Sequence, residues 1–187
     1  GDTTTIDVEF INTIFVGDNV VINVELNKKV NGTVTLHVGN DNYTVIVNDG
    51  VGSYTVSDLI NKTYDISASF AGDVNFTESK SQIKTLEVNK KLTNITVEFI
   101  TPVNVGENVV ITIKLNESVN ATAKLRIGED IVDVAIVNGQ GTYATAALAN
   151  GTYSINATFA GDDKYVGSTS DIKSLEVNKI STDVKVV

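Results

Sequence analysis

The sequence predicts an all-β chain built as two tandem β-sandwiches, and three observations carry that reading. Apolar residues recur with a period of two along most of the 187 residues, the mark of strands with one buried and one solvated face. The composition favours Val, Ile and Thr for strands, with Asn and Gly for the turns between them, and no segment keeps an amphipathic 3.6 period for three turns. Third, the chain repeats itself: Val16-Gly-Asp-Asn-Val-Val-Ile22 returns as Val105-Gly-Glu-Asn-Val-Val-Ile111, and Leu86-Glu-Val-Asn-Lys90 as Leu175-Glu-Val-Asn-Lys179. Between Ile6 and Lys90 the register needs no gap, and roughly half of the aligned positions match, as expected of a tandem duplication.

The duplication sets the expected domains: residues 1–90, residues 91–179, and residues 180–187 as the first strand of a truncated third repeat. In the first copy Ile6, Val8 and Phe10 alternate with Asp7 and Glu9 to give strand A, and Val20, Ile22, Val24 and Leu26 give B. Val34, Leu36 and Val38 define C; Tyr43, Val45 and Val47 define D. Tyr54 and Val56 lie on E, Tyr64 to Phe70 forms F, and Leu86 with Val88 anchors G. In the second copy Ile95, Val97, Phe99, Ile111, Ile113, Leu115, Leu125 and Ile127 fill the same inward positions. Pro102, the only proline, falls just after strand A, where a kink costs no ladder hydrogen bond. The link from Val88 to Ile95 is short and free of Gly, which favours restricted bending, and Leu92 is its residue expected to be covered.

Strand F is the most informative stretch. Leu59-Ile-Asn-Lys-Thr-Tyr-Asp-Ile-Ser-Ala-Ser-Phe-Ala-Gly-Asp73 becomes Leu148-Ala-Asn-Gly-Thr-Tyr-Ser-Ile-Asn-Ala-Thr-Phe-Ala-Gly-Asp162. A leading Leu, a turn and a Tyr at the strand start match the tyrosine corner of an immunoglobulin sandwich, so Tyr64 and Tyr153 are expected to be largely buried, each hydroxyl bonded back to its corner.

Composition removes several functions. There is no Cys, hence no disulfide and no thiolate chemistry. The net charge of −9 disfavours nucleic acid or an anionic membrane as partner. No apolar run reaches the ~18–20 residues of a membrane span. Met is absent even at position 1, so the chain is expected to be a piece of a longer protein.

Each chemistry-bearing residue has a plain structural reading. His37, the only histidine, becomes Arg126 in the second copy and reads as a solvated polar side chain rather than a base or metal ligand. Without Cys, and with one His, the usual triads cannot be assembled. Glu9/Glu98 and Glu87/Glu176 recur but alternate with apolar residues and should face water. No catalytic, cofactor or metal site is expected. Asp73, Asp162 and Asp163 invite a calcium reading, but their spacing matches no calcium loop, and a turn-forming Asp accounts for them better. Phe76 and Tyr165, three residues on, are expected to cap their own sandwiches. A Lys–Asn isopeptide crosslink finds no inward lysine on strand A. Asn-x-Ser/Thr sequons occur at Asn31, Asn42, Asn61, Asn75, Asn94, Asn116, Asn120, Asn150 and Asn156, acceptors for N-glycosylation where the source has the machinery.

With these residues in view, the chain resembles bacterial-type immunoglobulin-like (Big) repeats. Val-Gly-Glu-Asn-Val-Val-Ile, Gly-Thr-Tyr-Ser-Ile-Asn-Ala-Thr-Phe-Ala-Gly-Asp-Asp-Lys-Tyr and the closing Leu-Glu-Val-Asn-Lys carry the likeness, which covers both copies. It is similar to repeats of adhesin-like surface proteins of methanogenic archaea. The resemblance implies a non-catalytic segment of an extracellular, cell-surface protein: a stiff, monomeric rod contacting a surface protein or glycan of another cell. The rival readings are a true glycan- or protein-binding module, and spacer domains of a large extracellular enzyme.

Overall fold

The computed structural model describes residues 1–181 and 186, and these run through eighteen strands with no helix among them. The chain divides into two compact units, Gly1–Lys91 and Leu92–Val187, one residue past the expected boundary. The expected third-repeat strand, at residues 180–187, falls largely outside the described residues.

In the first unit β1 (Ile6–Glu9), β3 (Val20–Leu26) and β6 (Val51–Val56) form a three-stranded antiparallel sheet in the order β1-β3-β6. The facing sheet runs β2 (Thr13–Phe15), β9 (Lys84–Asn89), β7 (Lys62–Phe70), β4 (Gly32–Val38), β5 (Asp41–Val47), with the short β8 (Ser79–Lys80) also against β7. The second unit repeats the plan. Its small sheet is β10 (Ile95–Glu98), β12 (Val110–Leu115) and β15 (Gln140–Ala144). Its large sheet is β11 (Val103–Asn104), β18 (Lys173–Asn178), β16 (Gly151–Gly161), β13 (Ala121–Ile127) and β14 (Asp130–Ile136), with β17 (Val166–Thr169) on β16.

Alternation decides the faces. Strand β3 reads buried-exposed through all seven residues, so Val20, Ile22, Val24 and Leu26 point inward. Ile22, Leu36, Ile66 and Leu86 have no exposed surface in the first core; Ile111, Ile113, Leu125, Ile155 and Leu175 have none in the second. Each such side chain contributes about 1.5–3 kcal/mol of burial free energy.

Two features differ from the sequence reading. The run Asp41–Val47, expected as strand D, pairs with β4 along its full length, from Gly32↔Val47 to Val38↔Asp41. The intervening Gly39-Asn40 is a two-residue turn, which ties both strands into one sheet, so β5 is a C′ strand beside C. Strand A is also broken. After Glu9 the chain changes sheets: β1 pairs antiparallel with β3, whereas β2 pairs parallel with β9. Phe10 sits half-buried at the switch, and Pro102, preceded by a cis peptide bond, marks it in the second unit.

Glycine lets the two sheets close on each other at one corner. A Cβ on Gly52 would lie 2.4 Å from the Ile46 carbonyl oxygen, and one on Gly141 would lie 2.3 Å from that of Ala135. Leu92, expected to be covered, is 77% exposed.

Candidate functional site

Several polar side chains recur at the same offset in the two copies, among them Tyr64 and Tyr153. Tyr153 Oη donates to the Ala149 carbonyl at 2.8 Å, and Tyr64 Oη accepts from the Ile60 N–H at 3.1 Å. Both bonds reach back four residues. The rings are half-buried rather than largely buried, because each lies along the glycine of the C–C′ turn. A Cβ on Gly39 would stand 3.2 Å from the Tyr64 ring, and one on Gly128 3.1 Å from the Tyr153 ring.

The aspartates after strand F are occupied by their own turns. Asp73 Oδ1 accepts from the N–H groups of Asn75 and Phe76, and Asp162 Oδ1 from those of Lys164 and Tyr165, all at 2.8 Å. Phe76 and Tyr165 are half-buried against their respective cores. Among the described residues no group of three His, Asp or Glu side chains is placed to hold a metal ion.

The sequon asparagines sort by what their side chains hold. Asn61 and Asn150 donate Nδ2–H to the carbonyls of Val88 and Val177, each at 2.8 Å. Asn31, Asn116 and Asn120 use Oδ1 instead, accepting from the N–H groups of Asp49, Asn94 and Asn138. Asn42 Oδ1 lies 2.6 Å from His37 Nδ1, whose Nε2 meets Ser69 Oγ at 3.1 Å. Asn156 is half-buried on β16, while Asn75 and Asn94 are exposed. The histidine is thus held between an amide and a hydroxyl, and Arg126 in its place is exposed.

Two recurrent contacts carried no local pattern. Lys84 Nζ donates to the Val8 carbonyl at 2.6 Å and lies 3.2 Å from Asp7 Oδ1; Lys173 Nζ donates to the Val97 carbonyl at 2.9 Å. Each ties the last strand of its unit to the first strand of the opposite sheet. The shared offset of Lys84 and Lys173 was the available signal. In the first unit alone, Tyr43 and Tyr54 stack with ring centroids 4.6 Å apart. Burial raises the Tyr43 hydroxyl above its ordinary pKa, and Asp41, Tyr54 and Tyr64 push it the same way.

Concavities are shallow and differ between the units. In the first, one of about 420 Å³ lies among Glu9, Phe10, Asn12, Ile83, Lys84 and Thr85. In the second, one of about 530 Å³ lies beside Arg126, Glu129, Tyr153 and Ile172. Neither gathers convergent polar groups in an enclosed apolar cleft, the usual form of a small-molecule site.

A family model described as "Bacterial Ig-like domain (group 3)" matches residues 11–89 and again residues 97–178. Curated proteins provide no match. Among solved structures, the fibronectin(III)-like modules of Clostridium thermocellum CbhA are similar at 12% identity over 97% of this chain and 100% of theirs, with a TM-score of 0.38. That likeness is too loose to bear on function.

Proposed function

The chain belongs to the bacterial Ig-like domain (group 3) family, and from that membership we propose that it is a non-catalytic stalk segment of an extracellular, cell-surface protein. The observation that carries the reading is what the two copies share. Recurrent side chains serve the scaffold: core Val, Ile and Leu, the corner tyrosines, the turn aspartates, and the Asn and Lys ties. Exposed and half-buried positions change chemical type freely, as His37 against Arg126, whereas buried positions mostly keep an apolar side chain, as Val24 against Ile113 and Val34 against Ala123. A module selected for spacing keeps its framework and lets its surface drift.

In this proposal the two repeats form a monomeric rod that displays adhesive parts of the parent protein toward a surface protein or glycan of another cell. Support for stiffness comes from the linker, residues 90–94, which contains no glycine. The net charge of −9 would keep neighbouring rods apart over a screening length of ~8 Å at physiological ionic strength. Binding of the 187-residue chain to partner cells and to purified glycans tests the stalk. No saturable binding is the expected result. Tight binding to one ligand, abolished by loop substitutions in only one repeat, would replace the stalk with a recognition module. Small-angle scattering tests the rod: a maximum dimension near two sandwiches end to end is expected, and a side-by-side pair would sink it.

A further inference from the structure

Tension carried along a chain enters each unit through its first strands and leaves through its last. In the first unit those strands touch: β2 and β9 pair parallel, with Thr13↔Glu87, Ile14↔Val88 and Phe15↔Asn89 in register. The pairing is extended at both ends, by the Glu87 N–H to the Asn12 carbonyl at 2.8 Å and the Val16 N–H to the Asn89 carbonyl at 2.9 Å. Pulling parallel neighbours from opposite chain ends slides one along the other, so every bond between them bears load together. Antiparallel neighbours pulled from opposite chain ends are loaded at the same end and peel one bond at a time.

A second tie crosses between the sheets. Lys84, at the start of β9, holds the β1 carbonyl of Val8, and Asp7 flanks its ammonium. The second unit has the same plan with fewer parts. Its parallel pair is two residues long, Val103↔Val177 and Asn104↔Asn178, flanked by the Val105 N–H to the Asn178 carbonyl at 2.8 Å. The Glu176 N–H bonds to Thr101 Oγ1, and Lys173 reaches the Val97 carbonyl. Thr96 stands where the first unit has Asp7, so Lys173 has no carboxylate there.

We propose that each repeat is a load-bearing shear clamp, closed by its parallel first and last strands and its lysine tie, and that the second repeat yields first. The purpose of the clamp rests on the stalk reading, but its test does not. Failure under force would remove the clamp alone, whereas the stalk reading falls on partner binding.

The full 187-residue chain, tethered by handles at both termini, is held at constant force in an optical trap. Two steps are expected, each lengthening the tether by about 300 Å less the folded span. Lys84→Met should speed one step about tenfold at a given load and Lys173→Met the other, the loss of one charge-assisted hydrogen bond from the barrier. The faster step in the unsubstituted chain should be the one that Lys173→Met accelerates. A second tether uses the N-terminus and a cysteine at the exposed loop position, Gln82→Cys, which loads β2 and β9 from the same end. The first repeat should then open at clearly lower force. Equal force in both directions would overturn the clamp, as would two lysine substitutions that leave both rates unchanged. If either lysine variant fails to fold, the two-direction comparison decides alone.

Discussion

Tyr153 Oη donates to the carbonyl of Ala149, whereas its counterpart Tyr64 accepts from the N–H of Ile60. One corner geometry is thus satisfied by opposite polarities of the same hydroxyl. Tyr153→Phe removes a donor and leaves a carbonyl that solvent partly reaches. The expected cost is about 1 kcal/mol, read as a lower denaturation midpoint of the second unit. An unchanged midpoint would show that the corner bond adds nothing to stability.

Gly141 sits where E passes close to the C′ backbone, and its missing Cβ is the reason the two can meet. Gly141→Ala should destabilise the second unit by about 2 kcal/mol through forced displacement of packed backbone. Gly32→Ala is the control, since a Cβ there meets nothing within 4 Å and the backbone lies outside the left-handed region. It should be neutral or stabilising by a few tenths of a kcal/mol. Chemical denaturation of both variants separates packing from backbone freedom.

The raised Tyr43 hydroxyl gives the first unit a pH response that the second lacks, because Val132 occupies the matching place. The folded state holds this proton more tightly than the unfolded state. The contribution is therefore fully present below the ordinary value of 10.0 and is lost as pH rises through the higher folded value. Melting of the first unit should fall above pH 10 more steeply in the unsubstituted chain than in Tyr43→Val. Identical slopes would remove Tyr43 as the cause.

With Oδ1 of Asp73 and Asp162 already accepting two N–H bonds each, calcium has little to gain at these turns. Thermal melting should not move between millimolar calcium and a chelator. A rise of several degrees would point to a carboxylate site at one of these turns.

Asn61 and Asn150 commit the nitrogen that a glycan would modify. In cells with the machinery, site-resolved mass spectrometry should find Asn75 and Asn94 occupied well above Asn61 and Asn150. Equal occupancy at all four would mean that modification precedes folding.

The chain's alternation alone determined which residues form the two cores. Ile22, Leu36, Ile111 and Leu125 are buried where a period of two places them, because a strand's faces follow from local geometry. The internal repeat likewise determined that there are two copies, and Asp73 and Asp162 declared their turns, because an Asx bond reaches only two or three residues. Tertiary structure decided what lies far along the chain. Alternation is the same in a D strand and a C′ strand, so only pairing with β4 assigned Asp41–Val47 to its sheet. The parallel seating of β2 on β9 depends on a backbone switch after Glu9 that side-chain pattern does not encode. Asn61 reaches a carbonyl 27 residues away and Lys84 one 76 residues away. The first partner exists only once β7 and β9 have paired, and the second only once the two sheets have closed, since hydrogen bonds are specified by position in space and sequence periodicity speaks only for near neighbours.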